Sequence, residues 1–379
     1  MPLLIDLNPK ENRYKQPLIF VADLLGSEVS FSHLAAVYDQ LDPERFIYGL
    51  RSPFLEQNEK DPQSIEELAS MYIDVLVKSY PYNNYFLCGY SFGGLVALEM
   101  AKQLQAKKKQ IVFFGCIDTD LTTHLADLNE YQAARQLLKM AKLLIHKFNL
   151  TKANLPTTKE LSQKDKASQI ISLFTLLSEA CEQVHGNSSR ILKNALITLE
   201  TVRKNLLLSC KYKLEASLER MTVFAARQEQ HQEENLGWNK ITKEISVDFF
   251  DADHFSILMD ETIANKLGYS LLFHVNVNEA KYAMDGFAKH NLLMLEVARD
   301  GTTYLFNHLI QNSTVTELDA KKEVVPKVKE LKGLATRFAQ LRQEYHGFLQ
   351  SLLNIDQRYQ KQDSPEEEDN ADEQSKLNL

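Results

Sequence analysis

The chain has 379 residues, enough for two domains or for one large domain with an extension. Apolar residues at 44% and charged residues at 25% fit an ordinary globular protein with a sizeable core, and exclude a chain too polar to fold. The net charge of −8 sits largely at one end, since residues 363–379 carry seven acidic side chains and one basic; the near-neutral body offers no electrostatic footprint for nucleic acid.

The opening Met1-Pro2-Leu3-Leu4-Ile5-Asp6 has no basic stretch leading into a long apolar run, so no signal peptide is expected. No apolar run reaches the roughly eighteen residues of a membrane helix, so no membrane span is expected either. Pro17–Ala22 reads as a buried strand, residues 31–41 as a helix and Phe46–Leu50 as a second strand. Ser64-Ile65-Glu66-Glu67 has the form of a capping box and opens a helix to about Tyr80. Tyr85–Gly89 is a third strand, Leu95–Lys107 a helix and Ile111–Ile117 a fourth strand. Strands alternating with helices predict a mostly parallel sheet covered on both faces.

Residues 121–220 break that rhythm, being long, helical in pattern and without strand-like runs. Strands resume at Met221–Ala226 and Ile245–Phe250, so the helical segment is an insertion between strands, placed to serve as a lid. Residues 273–362 read as a helical extension. Within it Leu331, Leu334, Phe338, Leu341, Tyr345, Phe348, Leu352, Ile355 and Tyr359 alternate spacings of three and four over 326–362. That seam predicts either a coiled coil, with a second copy or a partner helix, or one amphipathic helix packed on its own domain. The acidic residues 363–379 read as a disordered, solvating tail. The four cysteines, Cys88, Cys116, Cys181 and Cys210, form no C-x-x-C pair and no secreted framework, which fits a reducing cytoplasm. Cys88 and Cys116 lie in apolar runs and read as small buried hydrophobes.

Gly89-Tyr90-Ser91-Phe92-Gly93 matches G-x-S-x-G, with a strand before it and a helix after it. In that context the serine sits on a sharp strand-to-helix turn that lifts its hydroxyl above the sheet edge, the nucleophile elbow of an α/β-hydrolase. A serine hydroxyl is a weak nucleophile and needs a base held by a third group. Of ten histidines, His254 follows a late strand, where this fold supplies its base; the others lie in helical or polar stretches. Two acids end neighbouring strands, Asp118 and Glu229, and the residues alone leave both open, because Asp118 also fits as a helix N-cap.

At these residues the sequence resembles the thioesterase domains of non-ribosomal peptide and polyketide synthases, over about residues 16–272. The resemblance rests on Gly89–Gly94, on Ile117-Asp118, on Leu236-Gly237-Trp238 and on Asp253-His254-Phe255-Ser256-Ile257-Leu258. It implies Asp118 as the acid and leaves Glu229 the runner-up. It also implies backbone oxyanion donors at Phe92 and at Leu24. Many members carry His-Pro-x-Gly-Gly in the latter loop; this chain keeps only Gly26 of Ala22–Gly26.

The implied chemistry is covalent acyl transfer from a thioester, with no cofactor or metal on this chain. The phosphopantetheine belongs to an acyl or peptidyl carrier protein acting in trans, since the C-terminal region lacks a convincing arm-attachment site. Lys107-Lys108-Lys109 fits either an acidic carrier or a solvated helix end. The same triad would also serve a carboxylesterase or lipase, or an acyltransferase or cyclase. A reading of another class is a non-catalytic interaction protein on a hydrolase fold, using 326–362 to bind.

Overall fold

The computed structural model describes residues 2–9, 13, 15–55, 61–151, 153–185, 190–228, 233–242, 244–279 and 281–282. In chain order the elements are β1 (Leu4–Asp6), β2 (Lys15–Val21), α1 (Ser32–Leu41), β3 (Arg45–Leu50), α2 (Ile65–Ser79), β4 (Asn84–Tyr90), α3 (Phe92–Ala106), β5 (Gln110–Ile117), α4 (Glu130–Phe148), α5 (Thr158–Leu161), α6 (Lys166–His185), α7 (Arg190–Ser209), β6 (Arg220–Ala226), β7 (Glu244–Phe250) and α8 (Ser256–Met259). Residues 261–279 are helical as well. Contacts divide the chain into Met1–Val275 and Asn276–Leu379. The seam over 326–362, the tail 363–379 and Glu229 lie outside the described residues.

The expected strands are present with ends displaced by at most two residues. β1 was not expected: three residues are too few to show a period, and its place is set by antiparallel pairing with β3, Leu4 opposite Leu50. α3 begins at Phe92, three residues before the expected start, because Gly93 and Gly94 are drawn into its first turn. At α2, Ser64 caps as expected, its hydroxyl accepting from the Glu67 N–H at 3.2 Å. The Glu67 carboxylate reaches past Ser64 to the Gln63 N–H at 2.9 Å, so the reciprocal half of the box lands one residue upstream.

The seven strands lie in the order β1-β3-β2-β4-β5-β6-β7, parallel except for β1. The chain steps from β2 outward to β3, then crosses to β4 on the other side of β2, which makes the C-terminal edge between β2 and β4 a topological switch point. Alternation of side chains divides the core. Ile19, Val21, Tyr85 and Leu87 join α2 and α3 on one face. Leu18, Phe20, Phe86 and Cys88 join α1 and the helix carrying Leu267 and Leu271 on the other. Helices α4–α7 bury a third core of their own around Leu137, Leu173, Phe174, Leu177, Leu199 and Val202. Leu24 and Leu25, in the loop after β2, pack against this third cluster, so that loop joins the insertion to the sheet.

Candidate active site

Ser91 stands between β4 and α3 with φ 54° and ψ −122°, a conformation that an L-residue adopts only under constraint. The constraint is visible in the packing. A Cβ on Gly89 would lie 2.4 Å from the Gly93 carbonyl oxygen, and a Cβ on Gly93 would lie 2.1 Å from that of Val21. Only glycine at these two positions lets β4, α3 and the end of β2 close on one another. The turn is held further by the Ser91 N–H donating to the Ile117 carbonyl at 3.0 Å.

The structure brings Ser91, His254 and Asp118 into one hydrogen-bonded line. His254 Nε2 lies 3.0 Å from Ser91 Oγ, and Nδ1 lies 2.6 Å from Asp118 Oδ2. A carboxylate only accepts, so Nδ1 carries the proton and Nε2 presents its lone pair to the serine hydroxyl. The His254 side chain is 28% exposed and that of Asp118 2%, so the line runs from a half-buried serine through a partly exposed imidazole to a buried acid.

Asp118 is positioned at the end of β5 by its own backbone. Its φ of 45° turns the side chain back over the sheet. Its N–H donates to the Phe224 carbonyl at 2.8 Å, and its Oδ1 accepts the Ala226 N–H at 2.9 Å. The capping duty that competed for Asp118 in the sequence falls to Asp120, whose Oδ1 accepts from the Thr122 N–H at 2.8 Å.

His254 is held by its neighbours. Asp253 Oδ1 accepts the Phe255 and Ser256 N–H groups, both at 2.8 Å, and the Ser256 N–H leads the causes that hold the Asp253 carboxyl below its ordinary range. Tyr90 stacks on the imidazole with ring centroids 5.1 Å apart and donates its hydroxyl to the His254 carbonyl at 2.5 Å. Tyr90 fills the first of the two unspecified positions of the elbow pattern, and sequence reasoning gave it no role.

Behind the elbow runs a second relay. Trp238, fully buried, donates Nε1–H to the Thr119 carbonyl at 2.7 Å, and Thr119 Oγ1 donates to the Ser91 carbonyl at 2.8 Å. The Leu236 carbonyl accepts the Leu121 N–H at 2.8 Å, so the Trp-containing stretch braces the loop that carries Asp118.

Phe92 opens α3, where an N–H has no partner within its own helix. Leu24 follows β2, half-buried, in the loop that Gly93 abuts. Beside it Asp23 is a buried carboxyl that burial pushes up to about 6, against the pull of the His254 charge and the Leu25 and Gly26 N–H groups. Cys88 and Cys116 are buried thiols whose pKa burial raises well above the ordinary value. Among the described residues no His, Cys, Asp and Glu cluster is arranged to hold a metal ion, and no helix is long and apolar enough to cross a membrane.

Comparison with known proteins identifies the family. The thioesterase domain model matches residues 16–269. Malpinin synthetase of Mortierella alpina is 32% identical over 140 residues, 36% of this chain and 2% of that protein. Atromentin synthetase of Tapinella panuoides is 30% identical over 131 residues, 34% of this chain and 13% of that protein. The chain thus spans a small part of the length of these relatives. A four-domain nonribosomal peptide synthetase of known structure, bound to AMP and glycine, shares the fold at TM-score 0.53 and 21% identity, over 71% of this chain and 20% of that one. The fold is that of an α/β-hydrolase, and with a family match over more than half of its length the chain belongs to the thioesterase domain family.

Proposed function

We propose that this chain is a serine thioesterase that releases an acyl, polyketide or peptidyl chain from a phosphopantetheine thioester. The reading rests above all on the hydrogen-bonded line Ser91–His254–Asp118 at the C-terminal edge of the sheet. His254 Nε2 takes the proton as Ser91 Oγ attacks the thioester carbonyl. Asp118, acceptor-only and buried, holds the imidazole in the tautomer that can do so and balances the imidazolium that forms. Collapse of the tetrahedral intermediate returns the proton to the departing thiolate and leaves an acyl-Ser91 ester. Water, activated by the same imidazole, or a nucleophile within the acyl chain then releases the product.

The backbone N–H groups of Phe92 and Leu24 are the oxyanion donors in this reading. It is supported by the close approach of the loop after β2 to the first turn of α3. The catalytic domain spans residues 16–272, with 121–220 as its lid. The thioester arrives on an acyl or peptidyl carrier in trans in the cytoplasm.

The test uses the full chain and its Ser91→Ala variant, first with a fluorophosphonate probe and then with an acyl-phosphopantetheine thioester. Wild type labels and turns over while Ser91→Ala does neither, and product mass separates hydrolysis from cyclisation or transfer. Equal labelling of the two proteins refutes the nucleophile; labelling without thioester turnover, beside turnover of an oxygen ester, refutes the substrate class.

A further inference from the structure

α7 of the helical insertion reaches back across the sheet edge to the loop after β2. Asn205, 1% exposed, donates Nδ2–H to the Leu24 carbonyl at 2.9 Å, across a sequence separation of 181 residues. Its Oδ1 is buried and meets no donor among the described residues. An amide buried with its carbonyl unused is costly, and its Nδ2 contact with Leu24 is what the arrangement preserves.

That contact completes the restraint of two successive peptide groups. The Asp23–Leu24 peptide is held at its carbonyl by the Gly26 N–H at 3.0 Å. In a trans peptide the N–H points opposite to the C=O, so this bond restrains the direction of the Leu24 N–H, in concert with the hold on the peptide that follows. The Leu24–Leu25 peptide is held on its N–H side by Asp23 Oδ1 at 3.0 Å and on its C=O side by Asn205. Both peptides pivot on the Leu24 Cα. Asn205 supplies the C=O-side anchor of the second peptide; without it that peptide keeps only the Asp23 Oδ1 bond at its N–H, and the backbone around the Leu24 Cα is restrained less tightly.

The anchor itself is firm. Thr201, one helical turn before Asn205 and fully buried, turns its hydroxyl back to the Ile197 carbonyl at 2.8 Å and lays its methyl over Gly26. Lys204 pairs with Asp61 at 2.5 Å and sits 5.0 Å over the Phe54 ring. Three successive side chains of one helix face thus seat α7 on the loops after β2 and β3.

We infer that Asn205 is a positioning residue for oxyanion stabilisation: the insertion, through Asn205, sets the backbone that aims the Leu24 N–H. The inference rests on the thioesterase reading above. The consequence is specific. Loss of Asn205 weakens binding of a developing oxyanion and spares binding of the uncharged thioester, because only the former draws on the direction of that N–H.

The test compares two ligands on the full chain. One is a trifluoromethyl ketone analogue of an acyl-pantetheine, whose carbonyl carbon Ser91 Oγ attacks, the proton passing to His254 and the carbonyl π pair becoming an alkoxide. The other is the matching thioether, which offers no carbonyl to attack. Asn205→Leu is expected to weaken the ketone ~10–100-fold and to lower kcat in parallel, with KM and thioether affinity within about threefold of wild type. Asn205→Asp keeps the shape and replaces the donor by a carboxylate oxygen; it gives the same split and serves if the leucine variant fails to fold. Equal losses for both ligands, or no loss for either in a protein whose wild type is active, overturn the inference. A wild type that neither turns over the thioester nor binds the ketone overturns the thioesterase reading instead, and this inference with it.

Discussion

The buried carboxyl of Asp23 sets up a stability test whose sign and size follow from the structure. Asp23 is 7% exposed, and burial lifts its pKa from an ordinary 3.8 to about 6. Burial is the leading cause and outweighs the favourable His254 charge and the two loop N–H groups. At ~1.4 kcal/mol per pH unit this rise amounts to about 3 kcal/mol of native-state penalty at neutral pH. The sign runs opposite to that of a salt-bridged aspartate. Below about pH 4 the group is protonated in both folded and unfolded chains and costs nothing. Between that and about pH 6 the folded chain binds more proton than the unfolded one, so stability falls as pH rises. Above that range the full penalty stands. Asp23→Asn removes the charge and keeps an Oδ1 to accept from the Leu25 N–H. The variant is therefore expected to melt higher than wild type by roughly 4–5 °C at neutral pH. The gap should shrink to near zero by about pH 4. Thermal melts of the two proteins, read as a difference at each pH so that other titrating groups cancel, measure it. A difference that does not change with pH, or a variant less stable at neutral pH, refutes the assignment of a strained charge to Asp23.

Two further substitutions probe the groups around Ser91. Asp118→Asn keeps the bond from the Ala226 N–H but turns an amide donor toward His254 Nδ1, selecting the tautomer that cannot take the serine proton. Thioester turnover is expected to fall ~10³–10⁴-fold with the melting curve little changed, and a loss under tenfold at intact fold argues that another acid serves. Trp238→Phe removes the indole donor from the Thr119 carbonyl and leaves that oxygen buried, at a cost of about 1–3 kcal/mol. Its urea midpoint should drop with the slope unchanged, and a midpoint equal to that of wild type excludes the brace behind the elbow.

What the sequence disclosed and what it hid divide along one physical line. Hydrophobic period and turn chemistry are local, so the strands, α2 with its Ser64 cap and the elbow at Ser91 could be read directly. His254 was legible because it follows the last strand. Asp118 was not separable from Glu229 by residues alone, since both end neighbouring strands; the choice needed a resemblance. The feature that joins Asp118 to His254, a left-handed φ at the end of β5, leaves no mark in the residue type. Asn205 was invisible for a stronger reason. Its partner is a backbone carbonyl 181 residues away, and a carbonyl has no identity in a sequence. The same contrast explains the loop after β2. Ala22–Gly26 lacks the His-Pro-x-Gly-Gly pattern, so neither a proline ring nor paired glycines fix its shape. Hydrogen bonds do so instead, one accepted by the Asp23 carboxylate and one donated by Asn205. A buried carboxylate is an expensive way to hold a peptide plane. If the loop served only the fold, replacing Asp23 by asparagine would improve the protein without loss. The charge at Asp23 thus carries about 3 kcal/mol of cost at neutral pH, which Asp23→Asn is expected to remove while an oxygen still accepts the Leu25 N–H.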